Sequence, residues 1–289
     1  NGSYIPAIES RRGCPFQCTF CDQGLDSTKL ASFSTERIIE ELDYIGEKIA
    51  CRKEANTLAF FDSNWGMYRG DVDVAKHIAT IIRKWDWPKA IDLSTPKNRK
   101  DRVLEIDSIL DNRLDLALSQ QSMNRATLEE IKRANYTNQE YLGFVKELGK
   151  RGHIKALTCE LIIPLPGETE ESYYDSVKIL IENGLRIGTY TLMMLMGAEL
   201  GRSGARQKYS MVSRYRIVPR QFGEYRGKKC FDIEEVCVQT NSMSFEAYLR
   251  CRRFSFVVEV LSSKFFDPMR RHLIESGISY YEVVRAIHS

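Results

Sequence analysis

Along the first two-thirds of the chain, short runs of apolar and β-branched residues alternate with longer runs whose apolar residues recur at helical spacing. Six of the short runs predict strands, at 7–12, 57–61, 91–95, 115–119, 158–163 and 188–195. Between them the helical stripe is legible: Ile38, Leu42, Ile45 and Ile49 in the first helix, Val74, Ile78, Ile81 and Trp85 in the second. Spacing of i, i+4, i+7, i+11 places each set on one face, turned toward a sheet. Ser34 stands where an N-cap belongs, Glu36 follows in the first turn, and Asn183-Gly184 marks the end of the fifth helix.

Such alternation implies parallel strands joined by right-handed crossovers, hence an α/β fold built as a barrel or a doubly wound sheet. Either architecture gathers ligands at the carboxyl ends of its strands. Beyond about residue 200 the pattern changes. Residues 201–206 read as a loop, 215–219 and 232–239 as strands, and 245–266 as one long helical run. The chain therefore divides into a core of residues 1–200 and a small C-terminal α+β extension of residues 201–289, expected to cover the barrel and shape the substrate site.

Composition narrows the class. With 289 residues, 43% hydrophobic and 28% charged, the chain can bury a sizeable core, which excludes disorder. A net charge of +3, from 42 basic and 39 acidic residues, lacks the basic excess of a nucleic-acid binder, so no nucleic-acid partner is expected. No apolar run is long enough to span a bilayer and no secretory signal opens the chain, so the expected location is cytoplasmic with no membrane partner. The chain starts at Asn1 and reaches its cysteine motif within a few residues, which suggests a fragment of a longer protein. Of eight cysteines, three form a tight trio, unlike the regular framework of a disulfide-stapled domain.

That trio is Gly13-Cys14-Pro15-Phe16-Gln17-Cys18-Thr19-Phe20-Cys21, directly after the first predicted strand. Soft thiolates suit iron clusters, and three ligands around four irons leave one iron open to a small-molecule chelator. The same thiols with a fourth ligand also suit tetrahedral zinc, although zinc sites usually pair two C-x-x-C units and no second pair follows here. A non-enzymatic iron-sulfur or zinc-binding protein is therefore the reading from a different class.

The C-x3-C-x2-C spacing, with aromatic Phe20 before the third cysteine, resembles the signature of the radical S-adenosylmethionine (SAM) superfamily. The resemblance implies a partial (β/α)6 TIM-like barrel, a 4Fe-4S cluster held by Cys14, Cys18 and Cys21, and SAM chelated to the open iron. It further implies reductive cleavage of SAM to a 5'-deoxyadenosyl radical, hydrogen abstraction from a small-molecule substrate, and a reductase or flavodoxin-like electron donor. Carried over position by position, Asp62, Ser63, Ser119, Gln120 and Glu160 become candidates for binding SAM, with Phe20 near the adenine. No residue receives a catalytic role. The opening Tyr4-Ile5-Pro6-Ala7-Ile8-Glu9-Ser10-Arg11-Arg12, with Leu165-Pro166-Gly167-Glu168-Thr169, is similar to the cobalamin-binding radical SAM group, many of whose members transfer methyl groups. Cobalamin is expected only if an upstream domain exists, and the core of a cobalamin-dependent methyltransferase is the alternative function. A radical SAM enzyme modifying RNA or a peptide is a further rival, but no segment for recognising either is visible.

Other reactive residues draw ordinary readings. Cys51, Cys159, Cys230, Cys237 and Cys251 read as buried structural thiols, His153 as a packing residue, and the basic run 97–102 as a solvated loop.

Overall fold

The N-terminal extended run is split at Glu9-Ser10. Strand β1 (Ala7–Ile8) opens the central sheet, whereas β2 (Arg11–Arg12) pairs antiparallel with β3 (Ala31–Ser32) outside it. Ser10, between β1 and β2, is buried and gives both its backbone N–H and its hydroxyl to Asp62, at 2.8 and 2.5 Å, so its N–H is lost to any strand ladder. This computed structural model describes residues 5–24, 30–49, 55–153 and 157–289, with Pro219 through its backbone alone.

Helix α1 (Thr35–Ile49) starts on the predicted cap, where the Ser34 Oγ accepts from the Arg37 N–H at 3.2 Å. Then follow β4 (Thr57–Phe60), α2 (Arg69–Trp85), β5 (Ala90–Ser94), α3 (Lys100–Ile109), β6 (Leu114–Ala117), α4 (Arg125–Glu130), α5 (Asn138–Lys150), β7 (Thr158–Ile163), α6 (Glu170–Glu182) and β8 (Arg186–Thr191). The sheet has the order β1-β4-β5-β6-β7-β8, and its pairs from β1 through β7 are parallel. Strands lying side by side in chain order, with a helix in each crossover, are the pattern of a partial (β/α)6 barrel. After β8 come α7 (Ser203–Lys208), a hairpin of β9 (Val212–Tyr225) and β10 (Lys228–Gln239), α8 (Phe245–Leu261), α9 (Asp267–Glu275) and α10 (Tyr280–His288). Among the described residues no helix is long and apolar enough to cross a membrane.

The chain separates into two compact units. The first comprises Asn1–Phe16, Asp26–Ser119 and Asn135–Thr158. Its core takes Leu58, Phe60, Ile91, Leu93, Leu114 and Leu116 from strands and Ile38, Leu42, Ile78, Ile81 and Ile106 from helices, all buried. Each such side chain contributes about 1.5–3 kcal/mol on leaving water. Gly46 interrupts the α1 stripe for a steric reason: a Cβ there would lie 2.6 Å from the Trp85 ring, so only glycine lets α1 and α2 approach. Asp107, fully buried, is paired with His153 at 2.9 Å.

The second unit comprises Gln17–Leu25, Gln120–Ala134 and Cys159–Ser289. One of its apolar clusters joins Leu128, Ile131, Leu165, Leu192, Met194, Leu200, Tyr209 and Cys237, with Phe20 packed against it. The β9–β10 ribbon is longer than the two predicted strands. Its tip residues Arg226 and Gly227 both take positive φ, 51° and 75°, as a tight two-residue hairpin loop requires. Phe222 faces Phe231 and Ile217 faces Ile233 across the ribbon, yet all four are exposed. Helix α8 stops at Leu261, short of the predicted residue 266, because Ser262-Ser263 ends it and a short 3-10 turn at Lys264–Phe266 leads into Asp267-Pro268, a helix-starting pair.

Candidate functional site

Gly13 enters the cysteine loop with φ of 85°, a conformation open to glycine, and thereby places Cys14. In the first unit Cys14 is half-buried and its Sγ accepts from the Asn64 side-chain N–H at 3.2 Å. Asn64 is buried at the end of β4, in the segment Phe61-Asp62-Ser63-Asn64. Beside it Asp62 is 3% exposed with both oxygens engaged by Ser10. Burial raises the Asp62 pKa, opposed by the two Ser10 donors and by Arg11, whose guanidinium lies 3.9 Å away. Arg11 itself is gripped by Asp71 and lies over the Tyr68 ring at 4.4 Å. The Asp71 carboxylate also accepts from the backbone N–H of Gly66 and Tyr68, each at 2.9 Å. This ion-paired frame fixes the end of β4 against the strand that leads into the loop. Ser63 and Ser119 are half-buried in the same unit.

In the second unit the loop is held by its backbone. The Thr19 N–H donates to the Ile131 carbonyl at 3.0 Å, the Leu200 N–H donates to the Thr19 carbonyl at 2.9 Å, and the Cys21 N–H turns back to the Cys18 carbonyl at 3.1 Å. Cys18 is buried and Cys21 half-buried, and the Cys21 Sγ accepts from the Gln23 N–H at 3.5 Å. Arg133 is 8% exposed, hydrogen-bonded to Cys18 and 5.9 Å from the Phe20 ring. Burial pushes its pKa down, opposed by the thiols of Cys18, Cys159 and Cys21. Gln120 is buried in this unit, and Gln121, at φ of 68°, bridges to β7: its N–H donates to the Glu160 carbonyl at 2.8 Å. Glu160 hydrogen-bonds Tyr190, whose pKa is raised by burial and then by that carboxylate.

Cys14, Cys18 and Cys21 are all free of disulfides. Among the described residues no three Cys, His, Asp or Glu side chains gather around a single-ion position. Thiols outside any disulfide, with N–H groups donated to two of the sulfurs, are donors of the chemistry an iron-sulfur cluster takes, and such hydrogen bonds tune its properties. Sequence reasoning missed Asn64 as a partner of Cys14, and missed Arg133, which in the string Ile131-Lys132-Arg133 looks like an ordinary basic helix end. It also left Glu168 unweighted. That carboxyl is 1% exposed, and burial raises its pKa to about 7 against hydrogen bonds from Ser122 and Ser172. Cys159, Cys237 and Cys251 are buried as expected; Cys230 is not, since it lies on the exposed part of the ribbon, and Cys51 falls outside the described residues.

Comparison with known proteins agrees with these features. The profile of the Radical SAM superfamily matches residues 8–180. The cobalamin-dependent radical SAM methyltransferase TokK of Streptomyces tokunonensis is 30% identical over 263 residues, covering 87% of this chain and 36% of that protein. A 2-(S-pantetheinyl)-carbapenam-3-carboxylate methyltransferase of Streptantibioticus cattleyicolor is 30% identical over 262 residues, covering 88% and 37%. The chain thus spans little more than a third of the length of these relatives. Among solved structures, the radical SAM methyltransferase TsrM of Kitasatospora setae aligns with a TM-score of 0.57 at 13% identity, over 75% of this chain and 42% of its own, which is a likeness of fold.

Proposed function

The chain belongs to the radical SAM superfamily, and from that premise we propose that Cys14, Cys18 and Cys21 hold a 4Fe-4S cluster serving reductive cleavage of SAM and hydrogen abstraction from a small organic substrate. When bound, cluster and SAM together supply the radical chemistry. The observation that carries the reading is a cysteine trio that forms no disulfide, two of whose sulfurs accept N–H groups. Arg133 supplies a buried cation beside Cys18 and Cys21, where in this reading it offsets the cost of gathering thiolates. Ser63, Ser119, Gln120 and Glu160 are further SAM contacts in this reading, and Phe20 offers a ring near the adenine. Asp62, with both oxygens taken by Ser10, positions the approach to the loop. A reductase or flavodoxin-like protein would deliver the electron.

The test is anaerobic reconstitution followed by SAM and dithionite, with 5'-deoxyadenosine as the readout. A cluster that forms while no 5'-deoxyadenosine appears would overturn the proposal. Similarity over 87% of the chain to a cobalamin-dependent radical SAM methyltransferase favours a second reading, in which a longer polypeptide containing this core transfers methyl groups with cobalamin. That reading requires S-adenosylhomocysteine to form only when cobalamin is supplied.

A further inference from the structure

A cavity of about 970 Å3 lies among α6, α8 and α10 in the second unit, and its charge is out of balance. Arg250, Arg252 and Arg253 of α8 and Arg285 of α10 line it, against the single carboxylate side chain of Glu170. Glu170 is already committed to Arg250, through contacts of 2.8 and 2.5 Å, and accepts from the Tyr174 hydroxyl at 2.9 Å. Arg252 donates to the Thr189 carbonyl at 2.8 Å. The Arg285 guanidinium carbon lies 4.1 Å from the Tyr174 ring centroid and 5.4 Å from that of Phe254, and the group also hydrogen-bonds the Tyr174 side chain, which engages part of its five-donor fork. Arg253 has no ion-pair partner among the described residues. Like charges crowded on one helix face destabilise it. Three of these arginines are nonetheless held in set orientations by neighbours, an arrangement that lowers the entropy cost of binding an anion.

The remaining walls are apolar. Leu249, Phe256 and Ile287 line the same cavity and are 42%, 67% and 57% exposed. We propose that this groove binds a phosphate-bearing small molecule, the phosphate meeting Arg253 and Arg285 and an apolar or planar portion lying against Phe256 and Leu249. Guanidinium forks match phosphate oxygens, and the volume is that of a small-molecule site. The inference is independent of the cluster and of SAM.

Isothermal titration with inorganic pyrophosphate tests it on the full chain. Saturable one-to-one binding is expected, weakened about tenfold or more by Arg253→Gln or Arg285→Gln and unchanged by Arg125→Gln, an exposed arginine on α4. Arg253→Gln removes no ion pair among the described residues and so keeps the test sound if the Arg285 variant folds poorly. Absence of saturation, or equal weakening by all three variants, would overturn the proposal. So would succinate displacing pyrophosphate as well as phosphate itself does, or a short single-stranded RNA binding where pyrophosphate does not.

Discussion

Replacing Glu168 by glutamine should remove a pH dependence of folding. The carboxyl is buried, and burial raises its pKa from an ordinary 4.5 to about 7 in the folded chain. A group whose folded pKa lies above its unfolded value stabilises the fold in its protonated form, fully below pH 4.5, and that contribution is lost as pH rises through 7. A displacement of two to three units at 1.36 kcal/mol each amounts to roughly 3 kcal/mol, mostly lost between pH 5 and 8. Glutamine keeps an oxygen that accepts from Ser122 and Ser172 but carries no titrating proton. Urea unfolding of both proteins at pH 5, 6, 7 and 8 should show the wild type losing about 2–3 kcal/mol relative to the variant across that range. A difference between the two that stays constant with pH would refute the reasoning.

Other outcomes follow from the packing. His153→Ala strands the fully buried Asp107 and should cost about 3–5 kcal/mol in a denaturant titration, whereas a surface His77→Ala, whose partner Asp43 is exposed, should cost under about 1. Gly201→Ala places a methyl 1.9 Å from the Leu195 carbonyl oxygen, a clash with backbone that should lower stability by about 3 kcal/mol or more, read as a lower urea midpoint. Alanine at Cys14, Cys18 or Cys21 should abolish the visible absorbance of the reconstituted cluster, while alanine at Cys251 should leave it intact.

Local signals carried much of the architecture. The strand at 158–163 coincides with prediction, and α1 begins on the predicted serine, because alternation and capping are written in neighbouring residues. The cysteine loop was legible for the same reason. Burial was not. Arg133 and Glu168 are charged side chains in polar-looking strings, and only the tertiary arrangement around Cys18 and Ser172 reveals that both lie inside. The split of the first strand depends on Ser10 finding Asp62, a partner 52 residues away. The full ribbon escaped notice because glycines and charges between 220 and 231 break the alternation, and pairing across the hairpin makes those residues strands.

The two-residue reversal at Arg226-Gly227 has a practical consequence. It sits at the far end of an exposed ribbon flanked by Arg220, Lys228 and Lys229, so trypsin should nick the native protein there before it attacks any helix. The two pieces should then migrate as one species until denatured, since the roots of both strands, at Ser213 and Cys237, stay registered after the tip is severed.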